Sequence, residues 1–275
     1  MYTTEEWQSE VKAVFTILNQ LFEVKLSSAC SLHVHVSPLG RVFTADDVKN
    51  LFRSALYYEL PFFTILPPAR KDNIWAKSIT NHLHIDLAEV AEQSWAPYFG
   101  LADRYNRKDE IFTYLLGETR SLTWNFGQFG PMGCGTIEHR SPPPVKSAQE
   151  AIHWVAVTLG CVHNSLHLED WSDVATTKTR PSTDDLRAAI KKGAIDLGID
   201  IDRVLFQPLL SDNHQPQLEY NSLELEAITK KLADKEKAGS IFAHKVLFSP
   251  NMGHSVLNII IFPTIIRRFN SDFRS

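Results

Sequence analysis

The amino-acid sequence predicts an α+β fold in which helices pack on an antiparallel sheet. Three observations carry that expectation. An amphipathic helical pattern near the N-terminus leads into "CSLHVHVSP", residues 30–38, where apolar and polar residues alternate with the period of a strand. "SLTWNFGQF" and "CGTIEHR" read as two further short strands separated by the turn region "GPMGCG". Strands and helices follow one another irregularly, without the β/α alternation of a doubly wound parallel sheet.

Taken in order, Trp7, Val11, Val14, Phe15, Leu18, Leu21 and Phe22 fall on one stripe at helical spacing and define the first helix. In the strand that follows, Leu32, Val34 and Val36 share one face, while Ser31, His33, His35 and Ser37 share the other. "TADD" opens a second helix, with Thr44 as N-cap and Asp47 at the third helical position. Val48, Leu51, Phe52, Ala55 and Leu56 form its buried stripe. "LPPARKDN" then predicts a rigid basic loop that is not helical across Pro67 and Pro68. After the two short strands, "SPPPV" stops the chain from continuing in the sheet. A capping box in "SAQE", Ser147 with Glu150, opens a helix running to about Leu168.

Further on, a helix starts near "RPSTDD" and stops at Gly193 or Gly198, and "LELEAITKKLADKEK" predicts a solvated helix. The apolar run "VLNIIIFPTII", Val256 to Ile266, falls short of the ~20 residues of a membrane helix and contains Pro263, so it reads as a buried β segment. The expected organisation is a catalytic core over residues 1–172 and a helical or irregular extension over 173–275.

Bulk properties narrow the function. A chain of 275 residues with 44% hydrophobic and 22% charged residues can bury a sizeable core. Its formal net charge of −4 gives no basic excess to neutralise a phosphate backbone, so no nucleic-acid partner is expected. Cys30, Cys134 and Cys161 are too few and too scattered for a disulfide framework or a zinc knuckle, which fits a reducing compartment. "MYTTEEWQSEV" lacks the basic and then apolar regions of a secretory signal, so a cytoplasmic location with no membrane partner is expected.

Singly, the polar residues of the strands have plain readings: His33 and His35 as decoration of a solvent face, Glu138 and Arg140 as a surface ion pair of little energetic value, Asn125 as a turn residue. Together they point to chemistry, because two strands each offer an i, i+2 pair on one face. Neutral imidazole and carboxylate suit a divalent cation. A guanidinium two residues from the carboxylate suits a phosphoryl or carboxylate oxygen. Such a face can hold a metal-bound triphosphate.

In order and spacing, "CSLHVHVSP", the "PPARKDN" loop, "RSLTWNF" and "TIEHR" resemble the amidoligase family, especially its branch in filamentous fungi. That family belongs with the carboxylate–amine ligases of the glutamine synthetase and glutamate–cysteine ligase superfamily. Over roughly residues 5–170 the resemblance implies a glutamine synthetase-like antiparallel sheet with helices packed on it. It implies ATP and Mg2+ as cofactors and small-molecule or peptide carboxylates and amines as substrates. By motif position, it implies that His33 and Glu138 are metal ligands and that His35 and Ser37 face the nucleotide. Arg140 would stabilise the transferring phosphoryl group, Arg120 and Asn125 would contact substrate or phosphate, and Arg70 and Lys71 would line the nucleotide side, with Asn73 of the same loop as a further candidate. Members begin with a strand carrying an E-x-E pair; here Glu5 and Glu6 are adjacent at a helix start, and Ser31 stands where the family usually has glycine. The expectation is therefore a ligase core that is incomplete at its N-terminus or degenerate.

Two other readings compete. One is a non-catalytic, ligase-like binding module. The other is a metal-dependent hydrolase of the amidohydrolase kind, which also opens on His-x-His but needs eight β/α units, whereas His153, His163 and His167 fall on a predicted helix. Neither Cys30 nor Cys134 is accompanied by a helix N-terminus or an oriented His–Asn pair, so both are expected to pack and not to react.

Overall fold

In the computed structural model the described residues are 6–201, apart from residues 25, 27–29, 72, 131–132 and 169–170, together with 258–262. The elements are α1 (Glu6–Leu21), β1 (His33–Ser37), α2 (Ala45–Tyr57), α3 (Glu59–Ile65), α4 (Pro68–Lys71), α5 (Ile79–His82), α6 (Leu87–Gln93), α7 (Ala96–Asp103) and α8 (Lys108–Glu110), then β2 (Trp124–Asn125), β3 (Ile137–His139), α9 (Ala148–His167), α10 (Trp171–Thr176), α11 (Thr183–Asp196) and β4 (Asn258–Phe262). The strands form one antiparallel sheet in the order β2-β3-β1-β4. That is a helix-rich α+β architecture.

Register sorts the side chains. Val34 pairs with His139 and His35 with Glu138 across β1 and β3, while Trp124 pairs with His139 and Asn125 with Glu138 across β2 and β3. Directly opposed residues point to the same face. One row, Trp124–His139–Val34, therefore faces the core; the next row, Asn125–Glu138–His35, faces away from it. On the core face the His139 ring stacks on Trp124 with centroids 4.1 Å apart, and its Nδ1 lies 2.8 Å from the Thr158 hydroxyl of α9.

The long helix α9 is buried along nearly its whole length, with Trp154, Val155, Val157 and Val162 in the core. Its second side is covered by α11, which contributes Leu186, Ile190 and Ala194 to the same core. The expected boundary at residue 172 therefore lies between two helices that share one core. Two glycines allow the close crossing: a Cβ on Gly160 would meet the Ile190 carbonyl at 2.3 Å, and one on Gly193 would meet the Gly160 carbonyl at 2.0 Å. Helix α11 runs through Gly193 and ends before Gly198, whose φ of 69° supplies the left-handed turn that closes it.

The caps read from the sequence act locally, Thr44 with Asp47 as a full box at α2 and Ser147 accepting from the Glu150 N–H at α9, and at α11 the helix start expected near "RPSTDD" has a further box, Ser182 with Asp185. Two expectations need correction. "LPPARKDN" is not wholly a loop: one helical turn begins at Pro68, because proline at the first helical position needs no N–H partner and has its φ already set. The stripe of α1 is only partly covered, with Val11 buried and Trp7 and Phe15 at the core edge, but Val14 and Leu21 exposed at 41% and 67%. The predicted solvated helix at 223–237 lies outside the described residues. The segment 256–266 does contain a strand, β4, at its described residues 258–262. No helix among the described residues is long and apolar enough to cross a membrane.

Candidate functional site

The polar row of the sheet converges on Glu138. Its Oε1 lies 2.9 Å from His33 Nδ1, 3.4 Å from His35 Nε2 and 2.9 Å from Arg140 Nη1, while Oε2 accepts a hydrogen bond from Asn125 Nδ2. Glu138 is 3% exposed, so this is no surface ion pair. Local chain geometry explains the convergence: period two puts His33 and His35 on one side of β1 and Glu138 and Arg140 on one side of β3, and the register sets His35 opposite Glu138.

Electrostatics follow from this packing. Burial opposes ionisation of Glu138, but the Arg140 guanidinium and the His33 and His35 contacts outweigh it and hold the carboxyl well below its usual range. His33 is pushed down, chiefly by burial and then by Arg140, which favours its neutral form. Burial also opposes charge on His35, yet its contacts with Cys134 and Glu138 prevail and raise it to about 9.

A segment bearing the basic residues rims this row. Arg70 is buried and donates from Nε to the Ser141 carbonyl at 3.1 Å and from Nη2 to the Arg140 carbonyl at 2.6 Å. Arg140 Nε donates to the Trp75 carbonyl at 3.0 Å. Asn73 is buried and accepts the Trp75 N–H, whereas Lys71 is exposed at the end of α4. Ser37 is half-buried at the far end of β1. Arg120 is exposed, its stem close against Gly127 and so beside Asn125, whose Oδ1 caps the Gly127 N–H at 2.8 Å. The fold thus gathers His33, His35, Asn125, Glu138 and Arg140 into one contact network, sets Arg70 and Arg120 at its edge, and leaves Lys71 outside it.

Cys134 is where the sequence reading fails. Cys30 packs as expected, but Cys134 is exposed and linked to His35 through the Thr136 hydroxyl. Its Sγ lies 3.4 Å from Thr136 Oγ1 and 3.3 Å from Gln128 Oε1, and Thr136 Oγ1 lies 2.9 Å from His35 Nδ1. The His35 contact lowers the thiol pKa to about 7 despite partial burial, with help from Thr136. The available signal was in the sequence, where "CGTIEHR" taken as one period-two strand puts Cys134 and Thr136 on the side of Glu138 and Arg140, although the observed strand begins only at Ile137.

Among the described residues no group of three or more His, Cys, Asp or Glu side chains is spaced to hold a metal ion. One carboxylate, Glu138, and one partly buried imidazole, His33, are the donor types that suit a cation taking most of its oxygens from phosphates and water. Glu6 begins α1, and Glu5 lies outside the described residues.

No family model matches the chain, and no curated protein or solved structure matches it.

Proposed function

We propose that the polar face of β1 and β3 is the reaction site of an ATP-dependent carboxylate–amine ligase, joining a small-molecule or peptide acid to an amine. The observation that carries this reading is the meeting of His33, His35 and Arg140 on the single carboxylate of Glu138. The resemblance of the four motifs to the amidoligases needs that meeting, and a Glu138 pointing to the core would remove its basis.

A carboxylate is a poor electrophile, so it is first phosphorylated by ATP; an amine then attacks the acyl phosphate and phosphate leaves. Stabilisation of charge on the migrating group is most of the catalytic task. His33 and Glu138 would hold Mg2+, which would supply charge neutralisation at the polyphosphate. Arg140 is pinned by the Trp75 carbonyl and Glu138 through Nε and Nη1, which leaves donors on its fork for a phosphoryl oxygen. Asn125 holds the second oxygen of Glu138, fixing the carboxylate, and the exposed Arg120 beside it suits the acidic substrate.

A second reading, a ligase-like binding module without turnover, is favoured by one observation: both Glu138 oxygens already have protein donors. The hydrolase alternative needs a parallel barrel, and the described strands pair antiparallel.

Thermal unfolding with millimolar ATP and Mg2+ tests the proposal, because a ligand bound only by the native state raises the midpoint. A ligase site gives a rise that needs both components and disappears in Arg140→Gln. A rise without ADP release for any acid and amine pair supports the module. No rise for the folded wild type defeats both.

A further inference from the structure

We propose that His163 and His167, one turn apart at the end of α9, form a binding site for a late first-row divalent cation such as Zn2+, with water completing its coordination. The two residues stand at i and i+4 on one helix, the spacing that puts side chains on a common face. Their rings are stacked, with centroids 4.0 Å apart and planes 20° from parallel. His163 is partly buried and His167 is exposed, so the pair is open to solvent on one side. The Nδ1 of His167 lies 2.9 Å from the His163 carbonyl, and because a carbonyl oxygen only accepts, Nδ1 carries the hydrogen. In the neutral ring the lone pair then sits on Nε2. A backbone carbonyl that fixes one ring nitrogen and frees the other is the support a metal-bound imidazole ordinarily has.

Donor type sets the choice of cation. Two imidazoles suit zinc, nickel or copper, whereas magnesium prefers oxygen. Burial and the neighbouring His167 push His163 down, with Asp196 of α11 acting against them and Lys192 with them, which favours the neutral, ligating ring. Bound at about 2.0–2.1 Å in tetrahedral geometry, two nitrogens stand roughly 3.3 Å apart, so the stacked rings reach a common cation by splaying about their Cβ–Cγ bonds. Among the described residues no third His, Cys, Asp or Glu is placed to complete the set, which leaves the other positions to water. The site is separate from the polar row of the sheet. Helix α9 packs on the core face, where Thr158 meets His139, while Glu138 lies in the row that faces away from the core. A bound cation would clip the last turn of α9 without touching the reaction site.

Zinc chloride alone is the probe, titrated calorimetrically into the full chain carrying Cys134→Ser, so that the exposed thiol does not compete. One equivalent is expected to bind in the micromolar range. His163→Gln and His167→Gln should each weaken binding by at least about 10-fold, the smallest cost usually seen when even a supporting partner of a metal ligand is removed. Proton–nitrogen correlation spectra of the imidazoles give a second readout, in which zinc shifts the nitrogen resonances of His163 and His167 and leaves those of His33 and His35 in place. His167 is exposed, so its variant tests the site whether or not His163→Gln folds. A folded chain that binds no zinc at micromolar concentration overturns the proposal. Unchanged affinity in His167→Gln, or zinc-induced shifts confined to other histidines, does the same. Neither nucleotide nor magnesium is present, so the result stands apart from the ligase test.

Discussion

His35 on β1 and Glu138 on β3 stand directly opposite each other in the antiparallel ladder, and the imidazole Nε2 lies 3.4 Å from the carboxylate Oε1. The pair ties the two motif-bearing strands together through their side chains as well as their backbones. Removing the charge of Glu138 leaves Arg140 and the two histidines without their common acceptor. Glu138→Gln is expected to cost about 3 kcal/mol in chemical denaturation, the range for breaking a buried ion pair from one side. A loss below about 1 kcal/mol would mean that the network contributes little to the fold.

Cys134 is expected to react with iodoacetamide at a rate that rises with pH about a midpoint near 7, following its thiolate fraction. Cys161, buried and pushed up to about 12, stays unreacted until the chain unfolds. Rates followed by peptide mapping across pH 5–9 decide it; a midpoint near that of a free thiol, about 8.5, would contradict the His35 contact.

His139 is buried against Trp124 and Thr158, and burial lowers its pKa to about 3. The folded chain therefore binds this proton far less readily than the unfolded chain. A histidine pushed down in this way is neutral at no cost above pH 6.5, and stability falls as pH drops from 6.5 towards 3. One unit below 6.5 the expected loss is about 1 kcal/mol. His139→Phe should flatten this part of the stability profile measured by denaturant titration, and an unchanged slope would count against the assignment.

Gly193→Ala should destabilise the chain by about 1–3 kcal/mol, since the new methyl group meets backbone that cannot rotate away. Helix propensity alone forecasts the opposite sign, a gain of about 1 kcal/mol. The shift in denaturation midpoint distinguishes the two, and a stabilised variant would mean that α9 and α11 do not cross this closely.

Glu59 accepts hydrogen bonds from the Ser78, Thr80 and Thr123 hydroxyls and the Ile79 and Thr80 N–H groups, all at 2.6–3.2 Å. Glu59→Ala would strand two buried N–H groups and cost about 3 kcal/mol or more. Near-neutral unfolding data would show that water replaces the carboxylate.

Local rules made much of the chain legible. Thr44, Ser147 and Ser182 begin helices because an N-cap needs only its own side chain and the N–H groups two or three residues on. Period two likewise assigned Val34 and Val36 to the core face and His33 and His35 to the other. The sequence by itself determined which side chains share a face, since that depends on the covalent repeat of a strand or helix and on no distant partner. Tertiary structure alone decided that Thr136 comes to His35 across 101 positions, bringing Cys134 with it, and that Gly193 abuts Gly160. Strand register and helix crossing are set by packing between remote segments, and that packing linked a cysteine expected to be inert to His35 through the Thr136 hydroxyl.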